Sequence, residues 1–280
     1  MINAADRRLI LLLGSSRSGT TWLAALLNSH PEVVYSHEPL SRLHAPYSDA
    51  LVEKIKATGH LFDHERRRLM LEWCAANHEC RRPPFFPKAF NWTPAWMGML
   101  AWVAVRVSGR GAGAFQRMFS PSQRQPFDVL IKEIEWSKHA EMLVQAFDPT
   151  LLIIMRHPCG MAASLLRGQR LGLMPNHDRM AWYLDHVEIC QEVGYDAGAI
   201  QNLAAGQFIG LQWLAHNLMY RKAMQAHPDS KLVIYEELCR NPAQITREVF
   251  AFLGWQLGPR TLRFIDNSTK ERRIRLLDWL

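Results

Sequence analysis

The sequence is short of cysteine pairs, of long apolar runs, and of the one lysine that its most telling loop ought to carry. Its 5 cysteines, Cys74, Cys80, Cys159, Cys190 and Cys239, are scattered, odd in number and never spaced as C-x-x-C. That speaks against a disulfide scaffold and against a structural zinc site, and fits reduced thiols in a cytoplasmic protein. No apolar stretch reaches the roughly 18 residues that span a bilayer. The longest candidate, "AWMGMLAWVAV" from Ala95 to Val105, stops at Arg106. The N-terminal "MINAADRRLILLLGSSRSGTT" does not read as a secretory leader, because its apolar run is short and leads into a glycine loop rather than a cleavage site. Internal repeats, low-complexity tracts and nucleic-acid-binding motifs are also missing. The net charge of +7 and pI of about 9.3 therefore point to an anionic ligand or surface, and not to nucleic acid.

What is present reads as an α/β chain. At 280 residues it has room for one α/β unit with insertions. "RLILLLG" is a short, continuous apolar run ended by glycine, the pattern of a buried strand. "SGTTWLAALLNSH" follows with helical spacing and stops at Pro31. "VVYSHEPL", "FDVLIKEI", "TLLIIMRHP" and "KLVIYEEL" read as further strands. Helices are expected at about 48–77, over "SKHAEMLVQAF", at about 158–169, 178–193 and 206–226, and over "PAQITREVFAFLG". Residues 81–98, with four prolines, and "SPSQRQP" at 120–126 should be irregular. Continuous apolar strands alternating with helices imply a parallel sheet covered on both faces. Ligands of such sheets bind at the carboxyl ends of the strands.

The loop after the first strand lies at that edge. In "GSSRSGTT", Gly14, Gly19 and Thr21 fit the phosphate-binding pattern G-x-x-x-x-G-K-[ST], but Thr20 stands where the lysine belongs and Arg17 is the loop's only cation. A glycine loop opening a helix presents backbone N–H groups to an anion. Without the lysine it suits a less charged group than a triphosphate, held by the Thr20 and Thr21 hydroxyls and the Arg17 guanidinium. A terminal phosphate–sulfate anhydride answers that description. A second anion site is offered by the strand "LLIIM", which ends at Arg156, with Ser164 eight residues further on in the next helix. A magnesium-dependent nucleotidase strand ends instead in an acid.

"SRSGTTWLAALLNSHPEV" together with "IIMRHPCGMAAS" resembles the sulfotransferases that use 3′-phosphoadenosine 5′-phosphosulfate (PAPS). The likeness is closest to the tyrosylprotein and carbohydrate sulfotransferases and their bacterial relatives. It covers residues 8–40 and 128–170 well and 230–254 loosely. It implies a P-loop-type three-layer fold in which a central parallel sheet is flanked by helices, as one domain over residues 1–280. The helical insertions at about 60–125 and 170–210 would hold the acceptor. It further implies that Arg17, Ser18, Gly19, Thr20, Thr21 and Trp22 bind the 5′-phosphosulfate, that Arg156 and Ser164 bind the 3′-phosphate, and that Tyr235 lies near the adenine. Glu38 matches the catalytic glutamate, with Arg17 also catalytic; other members use histidine, and His37 is adjacent. Neighbours on an extended segment point opposite ways, so only one of His37 and Glu38 should face the site, and Glu38 is the favoured base. No metal is implied. The product would be 3′-phosphoadenosine 5′-phosphate (PAP). Near the chain end such enzymes cover the nucleotide with a basic or glycine-containing segment. Here "NSTKERRIRLLDWL" offers Ser268, Lys270, Arg272 and Arg273 before Leu280, which reads either as a shortened cover or as a solvated helix face.

Two other readings stay open: a P-loop nucleotide kinase or NTPase, and a non-catalytic PAP-binding protein. The acceptor is expected to be a hydroxyl on a small molecule, glycan or lipid. Trp73, Trp92, Trp96 and Trp102 are candidates for stacking on sugar rings or for the core. In "NWTPAWMGMLAWVAVR", Trp92, Trp96, Met99, Leu100, Val103 and Val107 recur at helical spacing, Trp102 and Val105 broaden the face, and Arg81, Arg82, Lys88, Arg106 and Arg110 flank it. Either this helix is buried, or it rests on a membrane as a peripheral contact. Oligomeric state is not legible.

Overall fold

The computed structural model describes residues 8–41, 48–74, 80–90, 94–108, 127–134, 136–174 and 178–277. In chain order the elements are β1 (Leu9–Leu13), α1 (Thr20–Asn28), β2 (Val33–His37), α2 (Ser48–Thr58), α3 (Asp63–Cys74), α4 (Ala95–Ser108) and β3 (Asp128–Glu133). Then follow α5 (Ala140–Phe147), β4 (Thr150–Met155), α6 (Pro158–Arg170), α7 (Arg179–Asp185), α8 (Val187–Glu192), α9 (Ala197–Asn202) and α10 (Ala205–Gln225). The last are β5 (Ser230–Ile234), α11 (Tyr235–Arg240), α12 (Pro242–Phe252) and α13 (Pro259–Leu277).

The five strands form one sheet in the order β2-β3-β1-β4-β5, and every pairing is parallel. The strand alternation explains why β1 and the middle of β3 and β4 are apolar on both faces. Leu9, Leu11 and Leu13 of β1, Val129 and Ile131 of β3, and Leu151 and Ile153 of β4 enter one core with α2, α5 and Tyr220 of α10. Ile10, Leu12, Leu130, Leu152 and Ile154 enter the opposite core with α1, α12 and Ile265 of α13. The three-layer α/β arrangement expected from the pattern is the one observed. A separate apolar cluster joins α7, α8 and α9 to the first half of α10 through Trp182, Cys190, Ile200 and Phe208.

Two helices differ from expectation for local reasons. The helical stretch 48–77 is two helices, because Gly59 takes a left-handed φ of +71° and its N–H returns to Ile55 O at 2.7 Å. The single helix expected over 178–193 breaks at His186. There the imidazole Nδ1 donates to Trp182 O at 2.9 Å, taking the carbonyl that continues a helix, and the backbone N–H falls back on Tyr183 O. The segment "SPSQRQP" lies outside the described residues. Cys80, Cys159, Cys190 and Cys239 are in no disulfide.

His30, just past α1, stacks on Trp255 with ring centroids 4.6 Å apart. Burial first, then the neighbouring Lys88 charge, lowers its pKa from 6.5 to about 4. The unfolded chain takes up that proton near pH 6.5 while the folded protein resists it, so this contribution is complete above pH 6.5 and is lost as pH falls towards 4. The melting temperature should therefore drop across that interval, and His30→Phe, which keeps a stacking ring without titrating, should give a shallower drop. Parallel profiles for the two proteins would show that His30 plays no part in acid sensitivity.

Candidate functional site

The loop between β1 and α1 is held down on two sides. A Cβ on Gly14 would lie 2.8 Å from Ile154 of β4 and from Ser18 Oγ, so the chain can pass there only as glycine. Gly19 has φ +97° and ψ 9°, and a Cβ would stand 2.3 Å from the Tyr235 ring. Arg17 also has a left-handed φ, +65°, strain that the packed loop sustains. No side chain caps α1, which leaves its first N–H groups open to an anion. Ser15 Oγ and Ser18 Oγ are buried in this loop without a hydrogen-bond partner. Thr20 is buried and Thr21 exposed, and both line the cavity described below.

The two sequence motifs meet here. Arg17 Nε donates to Ser164 Oγ of α6 at 2.9 Å, and Arg156 donates from a terminal nitrogen to Arg17 O at 3.0 Å. The Arg156 guanidinium lies 4.6 Å over the Tyr235 ring, and its buried Nε has no hydrogen-bond partner. Gly160 makes room for it, since a Cβ there would be 2.9 Å from that nitrogen. Trp213 Nε1 donates to Arg156 O at 2.7 Å and fixes the strand end. Arg17 thus belongs to both motifs rather than to the loop alone. Trp22 faces α13 instead: its Nε1 donates to Ser268 Oγ at 3.1 Å, so both residues help pack α13 on α1. The side chains of Arg272 and Arg273 lie outside the described residues.

The second half of the site is built at the carboxyl ends of β2 and β3. Glu38 N donates to Lys132 O at 2.8 Å, Leu40 N donates to the buried Glu133 Oε1 at 2.6 Å, and Trp136 Nε1 donates to Leu40 O at 2.8 Å. These three bonds clamp the chain as it leaves β2. The Lys132 ammonium, on a side chain only 2% exposed, pairs with Glu38 Oε1. Glu38 has a left-handed φ of +50°. That turn out of the strand defeats the alternation rule, and His37 and Glu38 line the same cavity, with His37 Nε2 3.6 Å from Glu38 Oε1. The expectation that only one of them faces the site is therefore corrected. Tyr35 lies 2.7 Å from His37 Nδ1 through its hydroxyl. Burial first, then the Glu38 charge, pushes the Tyr35 phenol well above its usual range, so it keeps its proton beside the imidazole.

Between the two halves is a cavity of about 390 Å³. Arg17, Thr20 and Thr21 form one wall, and His37, Glu38 and Lys132 another. Arg82, Pro83, Pro84 and Trp102 close it from one insertion and Met174 from the other. Trp102 is turned inwards, its Nε1 donating to Arg81 O at 3.1 Å and its ring 3.9 Å from the Arg106 guanidinium. Trp92 and the Trp73 side chain lie outside the described residues. Sequence reasoning missed Lys132 and Tyr35. The signal was there for the first: "VLIKE" puts two charges at the end of an apolar strand. Among the described residues no group of three or more His, Cys, Asp or Glu is arranged to hold a metal ion, and no helix is long and apolar enough to cross a membrane.

Family comparison settles the class. The sulfotransferase domain model matches residues 7–274. The chain belongs to the sulfotransferase family. No curated protein matches it in sequence. Among solved structures it is similar to the sulfotransferase domain of the Synechococcus PCC 7002 olefin synthase, with 19% identity, 92% of this chain and 77% of that one covered, and a TM-score of 0.47. It is also similar to a sulfotransferase from Alicyclobacillus acidocaldarius, with 16% identity, coverages of 95% and 92%, and a TM-score of 0.43. Mouse sulfotransferase SULT7A1 complexed with PAP matches at 14% identity, coverages of 95% and 66%, and a TM-score of 0.46. The family assignment rests on the domain match.

The loop geometry yields a direct test. Gly19→Ala should destabilise the protein by about 1–3 kcal/mol through its left-handed φ, with an added clash against Tyr235. Tyr235→Ala introduced into the same chain should remove the clash and recover part of the loss, a non-additivity read in a denaturation cycle. An alanine variant that melts with the wild type would mean that the loop is not pinned.

Proposed function

We propose that this sulfotransferase moves the sulfuryl group of PAPS to a hydroxyl acceptor, with Glu38 as the base. The observation that carries the reading is the joining of Arg17, Ser164 and Arg156 on a lysine-free glycine loop, across one cavity from the Glu38–Lys132 pair. The residues fit the nucleotide. The buried, unpartnered Ser18 Oγ and Arg156 Nε are donors awaiting an acceptor, and the first turn of α1 favours negative charge. Arg17, Ser18, Gly19, Thr20 and Thr21 would hold the 5′-phosphosulfate, Arg156 and Ser164 the 3′-phosphate, and Tyr235 the region of the base. Trp22 and Ser268 would act from behind by seating α1. When bound, PAPS supplies the sulfuryl group and leaves as PAP.

The chain's own residues supply the rest. Glu38 takes the acceptor hydroxyl proton on a carboxylate oxygen. Lys132 and His37 Nε2 both lie at Oε1 of that carboxylate and fix its direction, so His37 positions the base rather than replacing it. Arg17 and Lys132 bring positive charge from two walls to the cavity where negative charge builds up during transfer. Arg82, Pro83, Pro84, Trp102 and Met174, from the two insertions, would receive the acceptor and exclude water, within a single domain spanning the chain.

Two measurements test this. Arg156→Ala should cost PAP about 1.5–3 kcal/mol of binding, as for a lost charge-assisted contact. It should cost adenosine 5′-phosphosulfate, which lacks the 3′-phosphate, much less; equal losses by calorimetry would refute the assignment. Glu38→Gln should keep PAP affinity and lose on the order of 10²–10⁴ in transfer of labelled sulfate, whereas His37→Ala should be milder. The reverse order would make His37 the base.

A further inference from the structure

Helix α4 is seated by one thin stripe and is bare and apolar elsewhere. Gly98 and Val105 are buried, and Trp102 turns in to the cavity. On the outer side Trp96 is 64% exposed, Leu100 61%, Val103 44% and Val107 81%, with Met99 beside them. Positions 96, 100, 103 and 107 lie one above the other on a helix, so they form a continuous stripe along its length. Trp102 and Val105, expected to widen this face, are instead on the other. A helix that is apolar all round belongs inside a protein or against lipid.

The charge of the surrounding segment selects between occupants. From 80 to 127 the chain has seven Lys and Arg residues and no Asp or Glu, so the whole formal excess of +7 falls in this one segment and the remainder is balanced. Arg82 and Arg106 are the exposed members placed at α4 itself, whereas the Arg81 guanidinium donates to Tyr35 O at 2.8 Å and the half-buried Lys88 donates to His30 O at 3.0 Å. A second copy docked symmetrically over α4 would bring two such segments together, like charge against like. Nucleic acid would answer the charge and leave the apolar stripe uncovered. A bilayer surface with anionic headgroups answers both.

We propose that α4 lies in the interface of an anionic membrane, with Trp96, Leu100, Val103 and Val107 among the acyl chains and the exposed Arg82 and Arg106 at the headgroups. The inner face of the same helix roofs the cavity, so the acceptor is a hydroxyl carried on a lipid headgroup. This last step rests on the transferase reading, while the docking does not. Flotation separates the two, because it reads binding without chemistry. Wild-type protein should float with vesicles of about one-third phosphatidylglycerol at low salt, and should stay behind with pure phosphatidylcholine vesicles or at high salt. Trp96→Ser with Leu100→Ser, both exposed and outside the catalytic machinery, should keep the melting temperature and PAP binding and lose roughly tenfold or more of the floated fraction. Wild type that remains soluble with the anionic vesicles overturns the proposal. So does a double variant that floats as well as wild type, which would leave charge alone at work. A dimer that the double variant converts to monomer, without flotation by either, would assign the face to a second copy.

Discussion

Tyr235 occupies the space that a side chain at residue 19 would need, and the rest of the site follows from that contact. The ring sits at the junction of β5 and α11, two strands away from β1, yet it is what the β1–α1 loop rests upon. The same ring carries the Arg156 guanidinium, which reaches back to the carbonyl of Arg17. One aromatic ring thus ties three strand ends, β1, β4 and β5, into a single surface. The cost is a left-handed backbone at Arg17, while Gly19 adopts the same region freely. An anion entering this surface meets arginine, serine and helix N–H groups already in place, so little ordering accompanies binding.

The other side of the cavity solves a different problem, that of keeping a carboxylate and an ammonium at the edge of an apolar sheet. Lys132 and Glu133 are consecutive on β3 and must point to opposite faces. Each finds its partner in the chain leaving β2: Lys132 in the Glu38 carboxylate, Glu133 in the Leu40 N–H. Removing one member of such a pair leaves the other buried and uncompensated, which is why the geometry is held from both strands. The same ties force Glu38 into its left-handed turn and bring it beside His37.

The fold was legible because its signals are continuous: five apolar runs, each followed by helical spacing, leave little besides a parallel sheet. The meeting of the glycine loop with the arginine-ended strand was legible too, since its glycines and arginines lie in short contiguous motifs. The half built on β2 and β3 was not. His37 and Glu38 were visible as a pair, but the alternation rule assumes that the strand continues, and a single positive φ ends it. Lys132 was hidden because its role depends on a register between β2 and β3 that one sequence does not display. The break at His186 depends on a side chain competing for a backbone carbonyl, which propensity cannot foresee. The α4 segment was recognised as apolar and cation-flanked, yet which residues turn inwards depended on where the helix seats.

The central claim is that this glycine loop, lacking its lysine and facing an arginine-ended strand, is built for a 3′-phosphorylated nucleotide and not for a magnesium-bound triphosphate. Calorimetric titration of the wild-type protein with PAP and, separately, with ATP and magnesium tests it without knowledge of the acceptor. The account predicts saturable PAP binding and ATP binding weaker by at least about tenfold, the scale of one lost charge-assisted contact. ATP with magnesium binding as tightly as PAP would contradict it and return the protein to the kinase and nucleotidase reading.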